Sequence, residues 1–310
     1  MAYNKRINHI LANAKSLGLK VKKLSWGKYY LGGLYDFRIK TNLFGEDVWG
    51  VGIDTDEETA FLKAFSESIE RAYCIENEIR SNGVSVHWTV EDAKRNSLSE
   101  LIERDVFLCH YLTGEAAKRV ENSLVQEVNG TLSKRSCRVK VYQLSCVNQH
   151  CVFLTVGENG ATGNIIGLGA AVDSKTALQK SVVECLFRLV AESENKEFPS
   201  VESVENPADH YNFHLSKPTL KDSKLILNSS FSKKVNTLNF NIDFDWNIIG
   251  NLNEMLPGLE LYVVKGNAPS LQTMFYGEVS EDKVNISRLR EFFGKYVDLK
   301  DLETILHPVG

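Results

Sequence analysis

The sequence predicts an α+β (mixed α/β) fold that is built from repeated βα units. One helical sequence occurs three times, a strand precedes the first and third copies, and further β-rich segments follow. The chain has 310 residues, of which 43% are apolar and 25% are charged, so it is long enough to bury a sizeable core. We expect a single domain over residues 1–310, with an N-terminal part (1–45), a core (46–190) and a C-terminal part (191–310).

Periodicity and turn residues predict the elements in chain order. Helices are expected at residues 7–16, 115–124 and 286–296, in addition to the three repeated helices. Strands are expected at residues 21–26, 29–39, 48–53, 138–145, 151–156, 164–172, 240–249, 259–265 and 273–277. The segment VNQH, at residues 147–150, is predicted to form a hairpin turn. Asp54–Asp56 and Asp173 suit the starts of the helices that follow them.

The repeated helix occurs twice in almost the same form and once in a weaker form. Residues 58–72 (ETAFLKAFSESIERA) align with residues 91–105 (EDAKRNSLSELIERD), and both contain the pattern ExxER. Residues 176–189 (TALQKSVVECLFRL) form a third copy, in which Phe187 replaces the second glutamate. Because a strand precedes two of the copies, the repeated unit is predicted to be a strand followed by a helix.

Each copy carries polar side chains along the border of an apolar face. At about 100° per residue, Lys63, Glu67 and Glu70 share one strip of the first helix. The same strip of the other two helices carries Asn96, Glu100, Glu103, Lys180 and Glu184. If the three strips converge in the folded chain, five glutamates meet in one cleft.

A cluster of five carboxylates requires cations. Neighbouring carboxylates repel one another and are partly protonated unless positive charge is close. Magnesium prefers such oxygen ligands and usually completes its coordination with water and nucleotide phosphates. The alternative is that the ExxER segments are solvated helix faces with local Glu–Arg pairs. The matched register of three copies favours the metal site.

Composition and charge exclude several classes of protein. The net charge of −4 gives no overall attraction to nucleic acid or to an anionic membrane, so we expect neither as a partner. The N-terminus lacks the features of a signal peptide, and no apolar run is long enough to span a membrane. The six cysteines show no CxxC pair and no framework spacing, so we expect reduced thiols in a cytoplasmic protein.

The repeated segments resemble the YcaO family of ATP-dependent enzymes that modify peptide backbones. The resemblance extends over about residues 50–190 and is strongest in GVGIDTDEETAFLKAFSESIER, SNGVSVHWTVEDAKRNSLSELIERD and GLGAAVDSKTALQKSVVECLFR. It implies a YcaO-like fold, in which the repeated helices converge on a central cleft flanked by β-sheets. The cofactors that it implies are ATP and magnesium.

The resemblance also implies roles for residues at matching positions. The implied magnesium ligands are Glu67, Glu70, Glu100, Glu103 and Glu184. Glu100 and Glu103 are the expected catalytic groups, together with the terminal carboxylate of Gly310, because azoline-forming members often end in a proline-rich tail that enters the active site. Ser85, Asp92 and Arg104 match further nucleotide-site positions of the family. Lys63, Lys180 and Arg188, on the first and third helices, are also expected to bind the cofactor.

Three positions depart from the family pattern. Lys63 replaces the usual serine, Trp88 replaces asparagine, and Phe187 replaces glutamine or glutamate. Lys63 is long enough to reach a phosphate, and the indole of Trp88 offers a face on which a base can stack. Phe187 has no ligand atom. The departures leave open a YcaO-like subunit that binds nucleotide or a partner but does not turn over.

The resemblance implies an enzyme that uses ATP to activate a backbone amide of a ribosomally made precursor peptide. In azoline-forming members a Cys, Ser or Thr side chain attacks the preceding carbonyl, the oxyanion takes the γ-phosphoryl group of ATP, and phosphate leaves. Thioamide-forming and amidine-forming enzymes share the ATP site and are alternatives, as is a metal-dependent hydrolase. The chain is short for a separate recognition domain, so we expect a leader-peptide-binding or other accessory protein, and self-association is left open.

Overall fold

The structure is a computed structural model that describes residues 4–24, 33–159, 165–193, 204, 209–210, 212–213, 220–304 and 306–308. Its helices and strands confirm the predicted α+β class. The chain divides into two compact units. The first contains Met1–Glu100 and Phe244–Asn267, and the second contains Leu101–Asp243 and Ala268–Gly310. These units do not coincide with the three predicted parts, which were divided at residues 45 and 190.

The described part of the first unit contains two three-stranded antiparallel sheets. One has the strand order β1-β2-β3 and the other has the order β10-β11-β4. The elements are α1 Lys5–Ala12, β1 Lys20–Leu24, β2 Tyr35–Thr41, β3 Val48–Asp54, α2 Glu57–Glu76, β4 Val84–His87, the start of α3 Val90–Thr113, β10 Asp245–Asn251 and β11 Tyr262–Asn267.

Helix α2 packs its apolar face on the sheet that precedes it. The carboxylate of Asp56 caps the helix and accepts a hydrogen bond from the backbone N–H of Thr59 at 2.8 Å. Buried residues recur three and four positions apart on α2, as Phe61, Ala64 and Phe65 show. This spacing places them on one face of the helix, so their burial holds α2 against the strands.

The described part of the second unit contains a sheet with the strand order β5-β6-β7-β8, to which β9 adds as a parallel partner of β6. Helix α3 ends in this unit at Thr113. The remaining elements are β5 Lys118–Val120, α4 Ser123–Leu132, β6 Cys137–Val147, β7 His150–Asn159, β8 Ile165–Ala171, α5 Ser174–Ser193, α6 Lys224–Asn228, β9 Thr237–Leu238 and α7 Ile286–Phe293.

The repeated unit is larger than the predicted strand and helix. The order α1-β1-β2-β3-α2 in the first unit recurs as α4-β6-β7-β8-α5 in the second. The caps recur as well, because Asp173 accepts from the backbone N–H of Thr176 at 2.8 Å, as Asp56 does from Thr59. The first and third copies of the repeated helix therefore each end a unit of one helix, three antiparallel strands and a second helix, whereas the second copy, on α3, follows the single strand β4.

The helix predicted at residues 115–124 is wrong. Residues Lys118–Val120 form strand β5, which pairs with β6, and the N–H of Arg119 donates to the carbonyl of Ser230 at 2.9 Å. Asn122 then caps α4 by accepting from the N–H of Val125 at 3.0 Å. Asn122, which was predicted to lie inside a helix, is instead the N-cap of α4. The Asn side chain competes for backbone hydrogen bonds inside a helix, so this residue is favoured at the N-cap.

The strand predicted at residues 273–277 is also wrong. Backbone groups of this segment form hydrogen bonds with side chains and are not paired with another strand. The N–H of Gly277 donates to Nε2 of His210 at 2.7 Å. At the start of the segment, the side-chain amide of Gln272 donates to the carbonyl of Thr273 at 2.7 Å. The other predicted strands of the described residues are present, although their bounds differ by several residues.

The cysteine prediction is wrong for one pair. Asn148 and Gln149 form the turn between β6 and β7, with φ of 45° and 70°, which confirms the predicted hairpin. Cys146 and Cys151 face each other across this hairpin with their Cα atoms 4.0 Å apart, and they form a disulfide. The other four cysteines, Cys74, Cys109, Cys137 and Cys185, are buried. No helix in the described ranges has the length and apolarity that crossing a membrane requires.

Candidate active site

Glu67 on α2 is held by the strand that precedes the helix. Its Oε2 accepts a hydrogen bond from the backbone N–H of Val51 at 2.6 Å, and its Oε1 lies 2.6 Å from Nη2 of Arg71. Such contact requires α2 to lie directly on β3. Gly50 and Gly52 allow it, because a Cβ atom at either position would come within 3.0 Å of the helix backbone.

Glu67 and Glu100 each lie close enough to Glu70 for their charges to interact with it. The pKa of Glu70 is raised well above its usual range, first by burial, then by the charge of Glu100 and then by that of Glu67. Glu100 also accepts a hydrogen bond from the backbone N–H of Gly83 at 3.3 Å. The structure thus brings together three of the five predicted magnesium ligands within the first unit.

Lys265 on β11 belongs to this cluster of carboxylates and was not identified from the sequence. Burial lowers its pKa, and the negative charges of Glu100 and Glu70 partly oppose that effect. Its Nζ donates to the backbone carbonyl of Arg80 at 3.4 Å and to that of Asn82. The available signal was a lysine within the apolar strand sequence LYVVKG, where a charged side chain requires a partner.

Cys74 lies on α2 one turn beyond Glu70 and is also part of the cluster. Burial, and next the charge of Glu70, raise the pKa of its thiol to about 12. The thiol is therefore neutral at pH 7, and a neutral thiol is a weak nucleophile. Its position beside the carboxylates makes Cys74 a packing residue of the site, and no catalytic role follows from it.

Three other predicted residues of the first unit have local contacts. Nζ of Lys63 lies 2.6 Å from Oδ2 of Asp54. Ser85 is buried on β4, opposite Val264 on β11. The N–H of Asp92 donates to Oγ1 of Thr89 at 3.1 Å, and the Thr89 hydroxyl donates to the Asp92 carboxylate at 2.7 Å. In this structure Asp92 therefore stabilises the start of α3.

The second unit repeats the contacts of Glu67 at Glu184 on α5. Oε2 of Glu184 accepts from the backbone N–H of Leu168 at 2.9 Å, and its Oε1 lies 3.1 Å from Nη2 of Arg188. Lys180 donates to the carbonyl of Ala170 at 3.3 Å, as Lys63 does to that of Ile53 at 3.5 Å. Glu67 and Glu184 therefore have the same contacts. In both units the sequence responsible is a strand with the pattern Gly-x-Gly, followed by a capped helix.

The remaining predicted residues lie on α3 and at the C-terminus. Glu103 and Arg104 are largely buried, with side-chain exposures of 13% and 18%, and Oε1 of Glu103 lies 3.6 Å from Nη1 of Arg104. Glu103 follows Glu100 by one helical turn. Gly310 lies outside the described residues, whereas His307 and Pro308, shortly before it, are buried.

The donor set of the first unit fits magnesium chemically. Glu67, Glu70 and Glu100 supply hard oxygen atoms, and the raised pKa of Glu70 shows that a cation would relieve their repulsion. Among the described residues, no three His, Cys, Asp or Glu side chains already stand at metal-ligating positions. Glu67 would therefore have to exchange its contact with Arg71 for the ion.

The chain matches one family model and shares its fold with several solved structures. The family model described as YcaO cyclodehydratase, ATP and Mg2+ binding, matches residues 77–265, more than half of the chain. No curated protein matches. A solved structure of a heterocyclase in complex with substrate and cofactor has a TM-score of 0.73 and 10% identity, and the match covers 98% of this chain and 57% of that one.

Two further solved structures share the fold. YcaO from Methanopyrus kandleri, bound with AMPPCP and Mg2+, has a TM-score of 0.61 and 15% identity, with coverage of 86% of this chain and 89% of that chain. The heterocyclase TruD has a TM-score of 0.52 and 14% identity, with coverage of 72% and 33%. The chain thus spans only part of the two heterocyclases.

The family match begins at residue 77, after Glu67 and Glu70, and includes Glu100, Glu103 and Glu184. The fold similarity extends over most of the chain, and the carboxylate cluster of the first unit joins Glu67 and Glu70 to Glu100. The family match over residues 77–265 shows that the chain belongs to the YcaO family, whose cofactors are ATP and magnesium.

Proposed function

We propose that this protein uses ATP and magnesium to activate a backbone amide of a precursor peptide. Its reaction is the cyclodehydration of Cys, Ser or Thr to a thiazoline or an oxazoline. Support comes from the family match and from the fold that the chain shares with a heterocyclase solved with its substrate. The observation that carries the proposal is the cluster of Glu67, Glu70 and Glu100 in the first unit, whose mutual repulsion a bound cation would relieve.

The protein's part in the reaction is to position groups and to balance charge. Magnesium, when bound, neutralises the triphosphate and favours transfer of its terminal phosphoryl group. Glu67, Glu70 and Glu100 are proposed to hold the ion on rigid elements of the first unit, and Glu103 and Glu184 are proposed magnesium ligands of the second unit. Arg104, Lys180 and Arg188 are proposed phosphate contacts, as is Lys63 after it leaves Asp54.

The reaction balances as follows. The substrate thiol or hydroxyl adds to the carbonyl carbon of the preceding residue and loses its proton. The carbonyl oxygen accepts the γ-phosphoryl group, and ADP is released. The amide nitrogen then loses its proton, the C–O bond breaks, and phosphate departs with the former carbonyl oxygen. Phosphate is a better leaving group than hydroxide, which is the physical reason that ATP is required.

The substrate is proposed to reach the protein with the help of a second protein. We propose a leader-peptide-binding or other accessory partner that presents the precursor peptide. The proposed location is the cytoplasm, where the precursor is synthesised and ATP is available.

A second candidate is a YcaO-like subunit that binds nucleotide but does not turn over. Phe187 favours it, because this residue stands at the position of α5 that corresponds to Glu70 of α2 and offers no ligand atom. Trp88 favours it as well. The guanidinium carbon of Arg6 already lies 4.7 Å from the centre of the indole ring on which a base was expected to stack. Thioamide and amidine formation are alternatives within the enzyme proposal.

The test is co-expression of the protein, its genomic neighbours and a candidate precursor peptide, followed by mass spectrometry. The loss of one water per modified residue is expected for azoline formation, whereas exchange of oxygen for sulfur would indicate a thioamide. Glu100→Gln and Glu103→Gln should each abolish the modification and the release of phosphate that depends on peptide. The matched control is Glu91→Gln, an exposed residue on the same helix that pairs with Lys94 at 3.0 Å.

The alternatives give different results in the same system. Magnesium-dependent ATP binding without phosphate release, in the presence of peptide and partner, would support the inactive subunit. Phosphate release that does not depend on peptide would support a hydrolase. Near-normal modification by Glu100→Gln and Glu103→Gln would contradict the roles that are proposed for these carboxylates.

A further inference from the structure

A groove in the second unit lies beside β5 and the N-terminal ends of α4 and α5. Its volume is about 570 Å³, within the usual range of ligand sites, roughly 300 to 1,000 Å³. Lys118 and Arg119 come from β5, Lys175 comes from the first turn of α5, and Phe231 forms part of the wall. We refer to this feature as the β5 groove. None of these residues has been assigned to the carboxylate site.

The β5 groove carries a local excess of positive charge. Lys118, Arg119 and Lys175 line it together with one acidic side chain, that of Glu121. Within the part of the chain that the structure describes, none of the three cations lies within 4.0 Å of a carboxylate oxygen in an ion pair, although the pKa of the Asp173 carboxylate that caps α5 is lowered by hydrogen bonds from Thr176 and, less, by Lys175. Their charges therefore remain available to a ligand, in a protein whose net charge is −4.

The same groove offers apolar surface at its wall and floor. Phe231 is 54% exposed, although large apolar side chains are usually buried, and the guanidinium carbon of Arg119 lies 4.7 Å from the centre of its ring. The buried residues Phe153 and Leu178 also line the groove. The groove thus combines cations with an exposed aromatic ring, which suits a ligand that is both acidic and partly apolar.

The first structural repeat indicates which anion fits this place. At the start of α1, the backbone N–H of Asn4 donates to Oε1 of Glu58, in the first turn of α2, at 2.9 Å. The corresponding helix of the second repeat begins after the cap Asn122, and Lys175 stands at the position of Glu58. Where the first repeat supplies a carboxylate from its own chain, the second presents a lysine and an open groove.

We propose that the β5 groove binds a short segment of the peptide substrate in which Asp or Glu is adjacent to an aromatic or aliphatic side chain. The carboxylate contacts Lys118 and Lys175, and the apolar side chain packs on Phe231. This inference rests on the proposed function, because the peptide is the substrate of that reaction. It concerns recognition of a segment outside the residues that are modified.

The test measures binding without ATP, so it does not depend on turnover. The probe is a dye-labelled hexapeptide of two glutamates, phenylalanine, leucine and two aspartates, measured by fluorescence anisotropy. The double variant Lys118→Glu/Lys175→Glu should weaken binding by at least about tenfold, and Phe231→Ala should weaken it about threefold or more. Lys134→Glu, an exposed charge reversal in the same unit, is the matched control and should leave the affinity unchanged.

Salt dependence and a second probe show whether binding depends on the acidic side chains of the peptide. Binding should weaken as salt rises, and a probe in which lysine replaces every acidic residue should bind less tightly. Equal affinity of the wild type and the double variant for the acidic probe would overturn the proposal. So would the reverse pattern, in which the variants lose affinity for a single-stranded oligonucleotide and keep it for the peptide.

The proposed reaction and the proposed binding of peptide at the β5 groove can be contradicted separately. Glu100→Gln should bind the hexapeptide as the wild type does, and Lys118→Glu/Lys175→Glu should bind ATP with magnesium as the wild type does. If the wild type binds the hexapeptide at the β5 groove but never modifies a peptide, the groove is supported and the proposed reaction is not. Circular dichroism and thermal unfolding establish that each variant is folded.

Discussion

Asp105 on α3 and Arg288 on α7 form an ion pair whose two side chains are 0% and 1% exposed. Nη2 of Arg288 lies 2.6 Å from Oδ2 of Asp105, and Nε lies 3.0 Å from Oδ1. Oδ1 also accepts from the N–H of Gln272 at 2.8 Å. The pair therefore joins two helices and a connecting segment of the second unit, directly after Arg104 in the sequence.

Loss of one partner of this pair should destabilise the protein strongly. Asp105→Asn leaves the guanidinium of Arg288 buried without its counter-charge, at an expected cost of about 3 to 5 kcal/mol in the free energy of unfolding. Urea unfolding measures this cost. Glu291→Gln is the control, because this exposed residue contacts the same arginine at 3.1 Å and should cost less than about 1 kcal/mol. Similar effects of the two variants would contradict the assignment.

Replacement of a glycine of β3 or β8 by alanine should destabilise the protein. A Cβ at Gly52 or Gly169 would come within 3.0 Å of the backbone of the helix that follows, so Gly52→Ala and Gly169→Ala should each cost about 3 kcal/mol or prevent folding. Thermal unfolding measures the effect. Gly130→Ala on α4 meets nothing within 4 Å and should stabilise the protein by up to about 1 kcal/mol. Equal tolerance at all three positions would argue against the close packing.

His110 should make the stability depend on pH in the acid range. Burial lowers its pKa to about 4, and its ring nitrogens contact the carbonyl of Glu115 at 3.1 Å and the hydroxyl of Ser145 at 2.9 Å. The unfolded chain binds the proton near pH 6.5, so the contribution of the neutral ring is fully present above that pH. It is lost as the pH falls towards 4, by an amount on the order of 3 kcal/mol.

The measurement is urea unfolding at several pH values between 4 and 7. His110→Asn removes the titrating group, so its unfolding free energy should fall less steeply with decreasing pH than that of the wild type. The absolute stability of the variant is not the readout, because it also loses contacts of the ring. The same slope in both proteins would show that other groups cause the acid sensitivity.

Lys265 should act as the counter-charge of the carboxylate cluster in the absence of metal. Without this cation, Glu70 and Glu100 repel each other more strongly, so magnesium should raise the melting temperature of Lys265→Met by more than that of the wild type, by several degrees at saturation. Differential scanning fluorimetry without nucleotide measures the shift. Lys22→Met, on the exposed strand β1, should respond as the wild type does. A smaller magnesium shift in Lys265→Met would indicate that the lysine is not competing with the ion.

The sequence determined the parts of this protein that depend on local periodicity. The helical spacing placed Glu67 and Glu70 beside a buried face, and Asp56 and Asp173 marked helix starts, since a cap needs only residues three apart. A strand pattern before the first and third copies indicated that the strand and the helix recur together. The departures at Lys63, Trp88 and Phe187 were also visible at this level.

Only the tertiary structure decided which distant groups meet. It placed Lys265 beside Glu70 and Glu100, paired Asp105 with Arg288, joined Cys146 to Cys151 across a hairpin, and exposed Phe231 beside Arg119. Such contacts depend on strand register and on the packing of separate elements, which the local sequence pattern does not contain. For the same reason residues 115–124 were predicted as a helix, although pairing with β6 and a contact with Ser230 make part of them a strand.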